Sequence, residues 1–516
     1  MRFHGIPVLL WFTAALGAAM FAPCLFAFVE EDWRSARLFL YSGVFTLAVC
    51  AILGAASRGA TRTAIAPRSE LLTYAGCFAA APILAAIPFA LLEPTLGAQG
   101  AFFEAVSSLT TTGATLLPRP EESAPSLHLW RSLLGWIGGL TTLVAAAAVL
   151  APRGLLDMPD GPAAQDAAGW TGQTGELAMD RAGRVLGLGD GGVRTWRALG
   201  HIFPLYLGLT ALLTVLLAAG GGDTFTALCH AMGVLSTSGI SPSSAGLAQH
   251  GNRLAEAAAI IFMVIAASRL PWRPRMRIAR LPANVAEDPE LRLLALTVII
   301  ASVWLFGRHW LGAITLAQPE QGLADTMSAL WGTIATVASF ATTTGYVSSD
   351  WATAQDWSGL SNPALMLLGL AALGGGVGST AGGIKLFRAY ALYQHGMREL
   401  AGLSHPNAID RPRSPGGRLG REAVINALVF TMLFMAALSA TLLALTLAGM
   451  PFEQALVGAI SVLSNTGPAF PLVEQDPAAY ANLGAATRMI LCAAMVLGRI
   501  EVLAVVALMN PRWWSR

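Results

Sequence analysis

Ten apolar runs divide this sequence, at roughly 6–29, 36–56, 71–93, 126–150, 198–219, 254–270, 291–313, 361–388, 421–449 and 484–509. An α-helix needs about 20 apolar residues to cross a bilayer, and a soluble domain has no use for ten such runs. Composition agrees. Of 516 residues, 55% are hydrophobic and 12% charged, whereas soluble chains carry about 25% charged residues. The net charge of +2 is too small to attract nucleic acid, and the basic residues fall in short segments between the runs. Cys24, Cys50, Cys77, Cys229 and Cys492 are scattered and form neither a disulfide framework nor a metal-ligand spacing. Met1 and Arg2 lead straight into the first run with no small-residue cleavage site, so that run reads as a span. The fold class is an all-α membrane protein.

Charge bias sets the orientation. Arg58, Arg62 and Arg68, then Arg181, Arg184, Arg194 and Arg197, then Arg269, Arg273, Arg275, Arg277 and Arg280, then Arg411, Arg413, Arg418 and Arg421 lie in alternate loops. Arg2, Arg512 and Arg516 fall on the same face, which the positive-inside rule makes cytoplasmic, with both termini. The opposite loops carry EED (30–32), PEES (120–123) and DWATAQDW (350–357).

Four of those outward loops share a pattern: an acidic residue, a moderately apolar stretch, then small hydroxyl residues and a glycine. They are FFEAVSSLTTTGAT (102–115), GDTFTALCHAMGVLSTSGIS (222–241), ADTMSALWGTIATVASFATTTGYV (324–347) and PFEQALVGAISVLSNTGPAF (451–470). Their glycines, Gly113, Gly239, Gly345 and Gly467, are spaced by 126, 106 and 122 residues. Such a coarse internal period reports architecture. Each unit is span, pore loop, span, and the chain divides into an extra N-terminal helix pair (1–57) and repeats at 58–155, 156–280, 281–400 and 401–516.

Irregular backbone at membrane depth is tolerated only where protein buries it or water lines it. Four such segments around one axis can offer carbonyls and hydroxyls in place of a cation's hydration shell. The short helix before each glycine would aim its negative C-terminal end at that axis. Glu104, Asp223, Asp325 and Glu453 are expected at the outer starts of these helices, where a carboxylate suits the dipole. One TTTG alone reads better as small-residue helix packing; four, at matching places in four repeats, read as a filter. Its candidate residues are Thr111, Thr112, Gly113, Thr237, Ser238, Gly239, Thr343, Thr344, Gly345, Asn465, Thr466 and Gly467.

FEAVSSLTTTGAT, WRSLLGWIGGL (130–140), EDPELR (287–292), GGGVGSTAGGIKLFR (374–388), HPNAI (405–409), SNTGP (464–468) and LGRIEV (497–502) follow one another along nearly the whole chain. In this order they resemble the bacterial Trk-type potassium uptake proteins of the Trk/Ktr/HKT superfamily, and the extra N-terminal pair is similar to the Trk branch. The resemblance implies uptake of K+ across the inner membrane, with no organic cofactor on this chain. It also implies a homodimer in membrane lipid and a cytosolic regulatory subunit that binds NAD(H) or adenine nucleotides.

The glycine run within 374–383 should break the eighth span, since glycine costs roughly 1 kcal/mol per helical position relative to alanine. Close helix packing would use the same composition equally well. The resemblance implies an intramembrane gate there, with Gly374, Gly375, Gly376, Gly378, Ser379, Lys385 and Arg499 as its candidate residues. Lys385, the one lysine among 32 basic residues, and Arg388 would sit at the cytoplasmic end, where anchoring is the competing role. Arg499 and Glu501 lie within the last apolar run, where an ionised group needs a partner or water; a structural ion pair is the competing role. Arg131 reads as an interfacial anchor.

The four filters differ. Asn465 and Pro468 set the fourth apart, and the second uses serines, which opens the alternative of a less selective Na+/K+ channel or symporter. The loop at about 152–197 departs from the family pattern. A membrane enzyme is a remote alternative: no Walker A motif, no catalytic triad and no GxGxxG-type nucleotide domain stands out, and Asp288 and Glu290 read as isolated carboxylates. A sensor would have no use for four filter-like loops.

Overall fold

The computed structural model describes residues 8–57, 67–150, 190–250, 252–272, 288–315, 323–356, 362–404 and 421–500, and every regular element among them is helical. Seven helices are long and apolar enough to cross a membrane: Val8–Val29, Trp33–Ala56, Glu70–Leu92, Pro125–Val149, Gly192–Ala219, Pro289–Arg308 and Val424–Leu447. Proline articulates some of them. Residues 67–92 run as Pro67–Ala79, Ala81–Ala85 and Ile87–Leu92, with Pro82 and Pro88 opening the second and third pieces, where the missing N–H breaks the ladder.

The other three expected spans hold shorter helices among the described residues. The run at 254–270 is helical over Arg253–Ala266 and then tightens into a 3₁₀ turn at Leu270–Trp272, which contains Pro271. The run at 361–388 is broken into Ala364–Leu373, an irregular segment at 374–385, and Leu386–Ser404. The last is helical over Ala485–Ile500. Glu501, the motif at 405–409, both termini and most of the arginine-bearing loops lie outside the described residues, so the orientation expected from charge stays an expectation.

Large apolar side chains such as Leu25, Val44, Val215, Ile299, Val303 and Leu443 are exposed on the outer helices. Lipid tails are as apolar as these side chains, so nothing drives them inward. The centre is hydroxyl-rich instead: residues 110–112, 236–238, 342–344 and 464–466 are all buried. Four helices bring them there, Gly97–Leu109, Thr224–Leu235, Leu323–Ala341 and Phe452–Leu463, the first to fourth pore helices below.

Glycine lets the neighbouring long helices press on the ends of two of these. A Cβ on Gly138 would overlap the Leu109 carbonyl, and one on Gly498 would meet the Leu463 carbonyl. Leu109 and Leu463 each close a pore helix, so the same backbone contact recurs in the first and fourth repeats.

Candidate functional site

All four pore helices end the same way. The N–H of Thr112, Ser238, Thr344 and Thr466 each reaches back to the carbonyl five residues earlier, every time at 2.9 Å. The preceding residue donates to the carbonyl three back, at 3.0–3.1 Å. These two bonds define a Schellman cap, whose pivot needs a left-handed residue, usually glycine. Here the pivots are Thr111 (φ 55°), Thr237 (51°), Thr343 (59°) and Asn465 (52°). Asparagine tolerates this region, whereas a β-branched residue with positive φ is strained. Strain of this kind persists only where the surroundings over-determine it, and it clusters at functional sites. The filter glycine follows two residues on, again with positive φ at Gly113 (74°), Gly239 (63°) and Gly345 (85°). Gly467 departs, since Pro468 behind it opens the helix Ala469–Glu474.

The four loops close into a ring. A Cβ on Gly113 would overlap the Ser238 carbonyl oxygen, and one on Gly239 the Thr344 carbonyl oxygen. On Gly467 it would lie 2.7 Å from the Thr112 carbonyl oxygen. Three of the four glycines thus abut the residue before the glycine in the next loop. The third junction breaks the rule: Gly345 faces the Pro468 ring at 3.1–3.3 Å. The Gly467 N–H also donates to the Thr112 carbonyl at 2.6 Å, and Asn465 Nδ2 donates to Thr112 Oγ1 at 2.9 Å and to the Met495 carbonyl at 3.1 Å. Within loops, hydroxyls pair across one residue: Thr110 with Thr112 (2.8 Å), Ser236 with Ser238 (2.9 Å), Thr342 with Thr344 (3.1 Å).

Polar side chains brace this ring from behind, and sequence reasoning missed them. Glu104 is not at a helix start: it lies inside the first pore helix, fully buried, and accepts from Leu116 N (2.6 Å) and Thr115 Oγ1 (2.8 Å) just past the filter. Arg131, read as an anchor, is equally buried and faces Glu104 at 3.1 Å. The pair needs both partners in the dry interior, since one alone would be an uncompensated charge. The equivalent position, nine before the filter glycine, holds His230 in the second repeat and Thr336 in the third; these bond Ser241 (3.0 Å) and Ser348 N (3.2 Å). Glu256 accepts from Ser348, Ser349 and Trp331 at 2.7–3.0 Å. Asp223 does cap its helix, accepting from Phe225 N and Thr226 N, and Asp325 and Glu453 lie in first turns.

Bond directions fix the histidine tautomers. Ser241 Oγ donates to the Ser243 carbonyl at 2.7 Å, so it accepts from His230 Nε2–H. His230 Nδ1 is then the acceptor, and His250 Nε2–H, 2.8 Å away, the donor. Burial holds the His250 pKa below its ordinary value, against the opposing pull of Glu256.

The irregular segment 374–385 lies against the pore-helix ends. Gly374, Gly378 and Gly383 have φ of 74°, 70° and 77°, conformations that bar a continuous helix. Gly382 N–H donates to Thr343 Oγ1 at 2.9 Å, and its α-carbon sits on the Ser464 carbonyl, leaving no room for a side chain. Arg499 Nη1 donates to the Thr380 carbonyl at 2.6 Å, and Ser379 Oγ donates to the Gly376 carbonyl at 2.6 Å. Lys385 and Arg388 are buried rather than at an interface. Lys385 Nζ bonds the Ala381 carbonyl, and the Arg388 guanidinium lies 3.4 Å from the Phe430 ring centroid. The Gly375 carbonyl accepts from Leu386 N at 3.1 Å. Arg269, expected at the membrane face, is buried against Asp288 (3.6 Å) and Glu290 (3.4 Å), two carboxylates that looked isolated.

An all-helical fold with four inward helices capped around a common centre is that of a polytopic membrane transport protein. Residues 203–512 match the TrkH family, described as cation transport protein. The match covers more than half of the chain, and the chain belongs to that family. Membership in a transport family sets aside the membrane-enzyme reading. Among curated proteins, the chain is 27% identical over 435 residues to the Trk system potassium uptake protein TrkI of Halomonas elongata, covering 84% of this chain and 81% of that one. It is 27% identical over 520 residues to TrkH of Salmonella typhimurium, covering 99% and 98%. The crystal structure of the potassium transporter TrkH from Vibrio parahaemolyticus superposes with a TM-score of 0.79 over 100% of both chains at 22% identity, a likeness of fold.

Proposed function

We propose that this chain is the pore-forming subunit of a bacterial potassium uptake system in the inner membrane. The observation that carries the reading is the ring: four identical helix caps, each with its glycine against the next loop. Family membership and relatives described as potassium uptake proteins supply the ion. In this reading Thr111–Gly113, Thr237–Gly239, Thr343–Gly345 and Asn465–Gly467 form the filter of the four repeats. Their carbonyls and hydroxyls replace water around K+, helped by four helix C-termini. The segment 374–385 is the gate, held closed by Arg499. Repulsion adds to the closed state: unit charges about 4 Å apart interact by on the order of 4 kcal/mol at an effective dielectric near 20. The relatives are described as parts of a Trk system, which supports a further component; in this reading it is a cytosolic nucleotide-binding subunit, and the chain works as a homodimer.

The test is rubidium flux into liposomes containing the purified chain, together with growth rescue of a strain lacking potassium uptake. Gly113→Asp and Gly345→Asp should abolish rescue while the protein stays in the membrane; normal rubidium transport by either rules out the filter. A second reading, weak discrimination between K+ and Na+, has one observation in its favour: Pro468 and the Gly467–Thr112 bond make one side of the ring unlike the others. Sodium competing with rubidium as well as potassium does would favour it.

A further inference from the structure

Arg499 holds the intramembrane segment at Thr380, on the limb nearest the pore helices. The other limb has its own attachment. Glu290, the second residue of the helix Pro289–Thr315, is buried, and its Oε1 accepts the Val377 N–H at 3.0 Å. Its Oε2 faces Arg269 Nε at 3.4 Å. Asp288 faces the same guanidinium at 3.6 Å and accepts the Glu290 N–H at 2.9 Å, so the carboxylate is oriented from two sides. One residue earlier, Gly376 N–H donates to the Ala267 carbonyl at 2.9 Å. A Cβ on Gly376 would lie 2.7 Å from that carbonyl and 3.1 Å from Glu290 Oε2.

Helical continuity would have given the Val377 N–H to the Leu373 carbonyl. That carbonyl is taken by Lys385 N at 2.9 Å, so the broken helix leaves Val377 a buried donor in need of a partner. A neutral acceptor would satisfy it. A buried carboxylate is the expensive choice, and here a buried arginine must accommodate it against the like charge of Asp288. Starting the helix does not require it either, because Asp288 already caps Glu290 N.

We infer that Glu290, oriented by Arg269, is a second latch on the loop: a gate-positioning residue that holds the Gly376–Val377 limb in its closed place. This rests on the gating role proposed above for the segment. The two latches have opposite chemistry, a carboxylate on an N–H at Val377 and a guanidinium on a C=O at Thr380. The loop moves as a unit only when both let go, and water can replace each bond once the pore is wet. An opening signal therefore has two independent points of entry, and weakening either one shifts the closed–open balance without touching the filter.

The experiment is rubidium uptake by proteoliposomes of the purified full-length chain without any partner, at matched protein amounts. Arg499→Ala serves as the reference for gating itself. Glu290→Leu, which keeps the bulk and removes the acceptor, should raise partner-free uptake on the order of tenfold, equivalent to about 1.4 kcal/mol of lost closed-state stabilisation. Glu290→Gln, whose amide oxygen can still accept from Val377, should raise it far less. Simple misfolding lowers uptake, so a gain separates a latch from a structural role. Should Glu290→Leu fail to fold, Gly376→Ala displaces the same limb and should also raise uptake. If Arg499→Ala raises uptake and neither Glu290→Leu nor Gly376→Ala does, the latch is overturned while the gate stands. A rise in Glu290→Gln equal to that in Glu290→Leu also overturns the hydrogen bond as the latch. No rise in any variant, Arg499→Ala included, removes the gate and the latch together.

Discussion

The ring makes a ranked prediction for alanine at three glycines that look interchangeable in sequence. Gly113, Gly239 and Gly345 all have left-handed φ, so each alanine carries a conformational strain of about 1–2 kcal/mol. Strain of that size changes an equilibrium by roughly 5- to 30-fold. The space available differs. At Gly113 and Gly239 the new methyl runs into a backbone carbonyl of the next loop, well inside any contact a real Cβ makes. At Gly345 its nearest neighbours are Pro468 ring atoms at 3.1–3.3 Å, which a shift of a few tenths of an ångström relieves. Gly345→Ala should therefore lose stability by little more than the strain and keep measurable uptake. Gly113→Ala and Gly239→Ala must push a carbonyl of the proposed filter aside, and displacement by about 1 Å costs preorganised sites on the order of 100-fold. Thermal melts in detergent and rubidium uptake at matched membrane levels give the two readouts. If Gly345→Ala is as damaging as the other two, with all three equally folded, the glycines do not abut the next loop as described and the ring geometry is wrong.

Removing one partner of the buried pair, in Glu104→Gln or Arg131→Leu, should cost about 3–5 kcal/mol, seen as a large drop in melting temperature. The double variant Glu104→Leu/Arg131→Leu should recover only part, because Leu116 N and Thr115 also lose their acceptor. Arg499→Ala should raise uptake without the regulatory partner, and so should deletion within Gly374–Ser379; unchanged uptake in both takes them out of the gate. Adding NADH or ATP to the purified chain alone should leave flux unchanged, and a response would place nucleotide sensing on this chain. His250 is held neutral when folded, so acidification through about pH 6.5 protonates the unfolded state first and stability is lost as pH falls. Melts from pH 7.5 to 5.5 should show less of this loss in His250→Asn than in the unaltered protein.

The ten apolar runs and the four hydroxyl–glycine signatures were visible because each is local: a membrane span is a property of consecutive residues, and so is a helix end. The structure brings the four signatures together. What stayed hidden depends on distant partners. Glu104 and Arg131 are 27 positions apart, and Arg269 meets Asp288 and Glu290 only after the chain has turned; nothing in their own neighbourhoods says that they are buried. Arg131 as an anchor and Arg269 as a loop charge share one reason: an arginine near the end of an apolar run looks accessible until the fold covers it. Glycine does supply left-handed backbone at Gly113, Gly239 and Gly345. The demand the sequence does not advertise falls two positions earlier, on the β-branched Thr111, Thr237 and Thr343.

One polypeptide supplies all four sides of the ring, which sets how it can change. Where four copies of a short chain surround an ion, a single codon alters every side at once. Here the sides answer to separate codons, and the junction at Pro468 already differs from its three counterparts. If the ring is the filter proposed above, its selectivity can drift one side at a time, through intermediate cation preferences, without losing the pore.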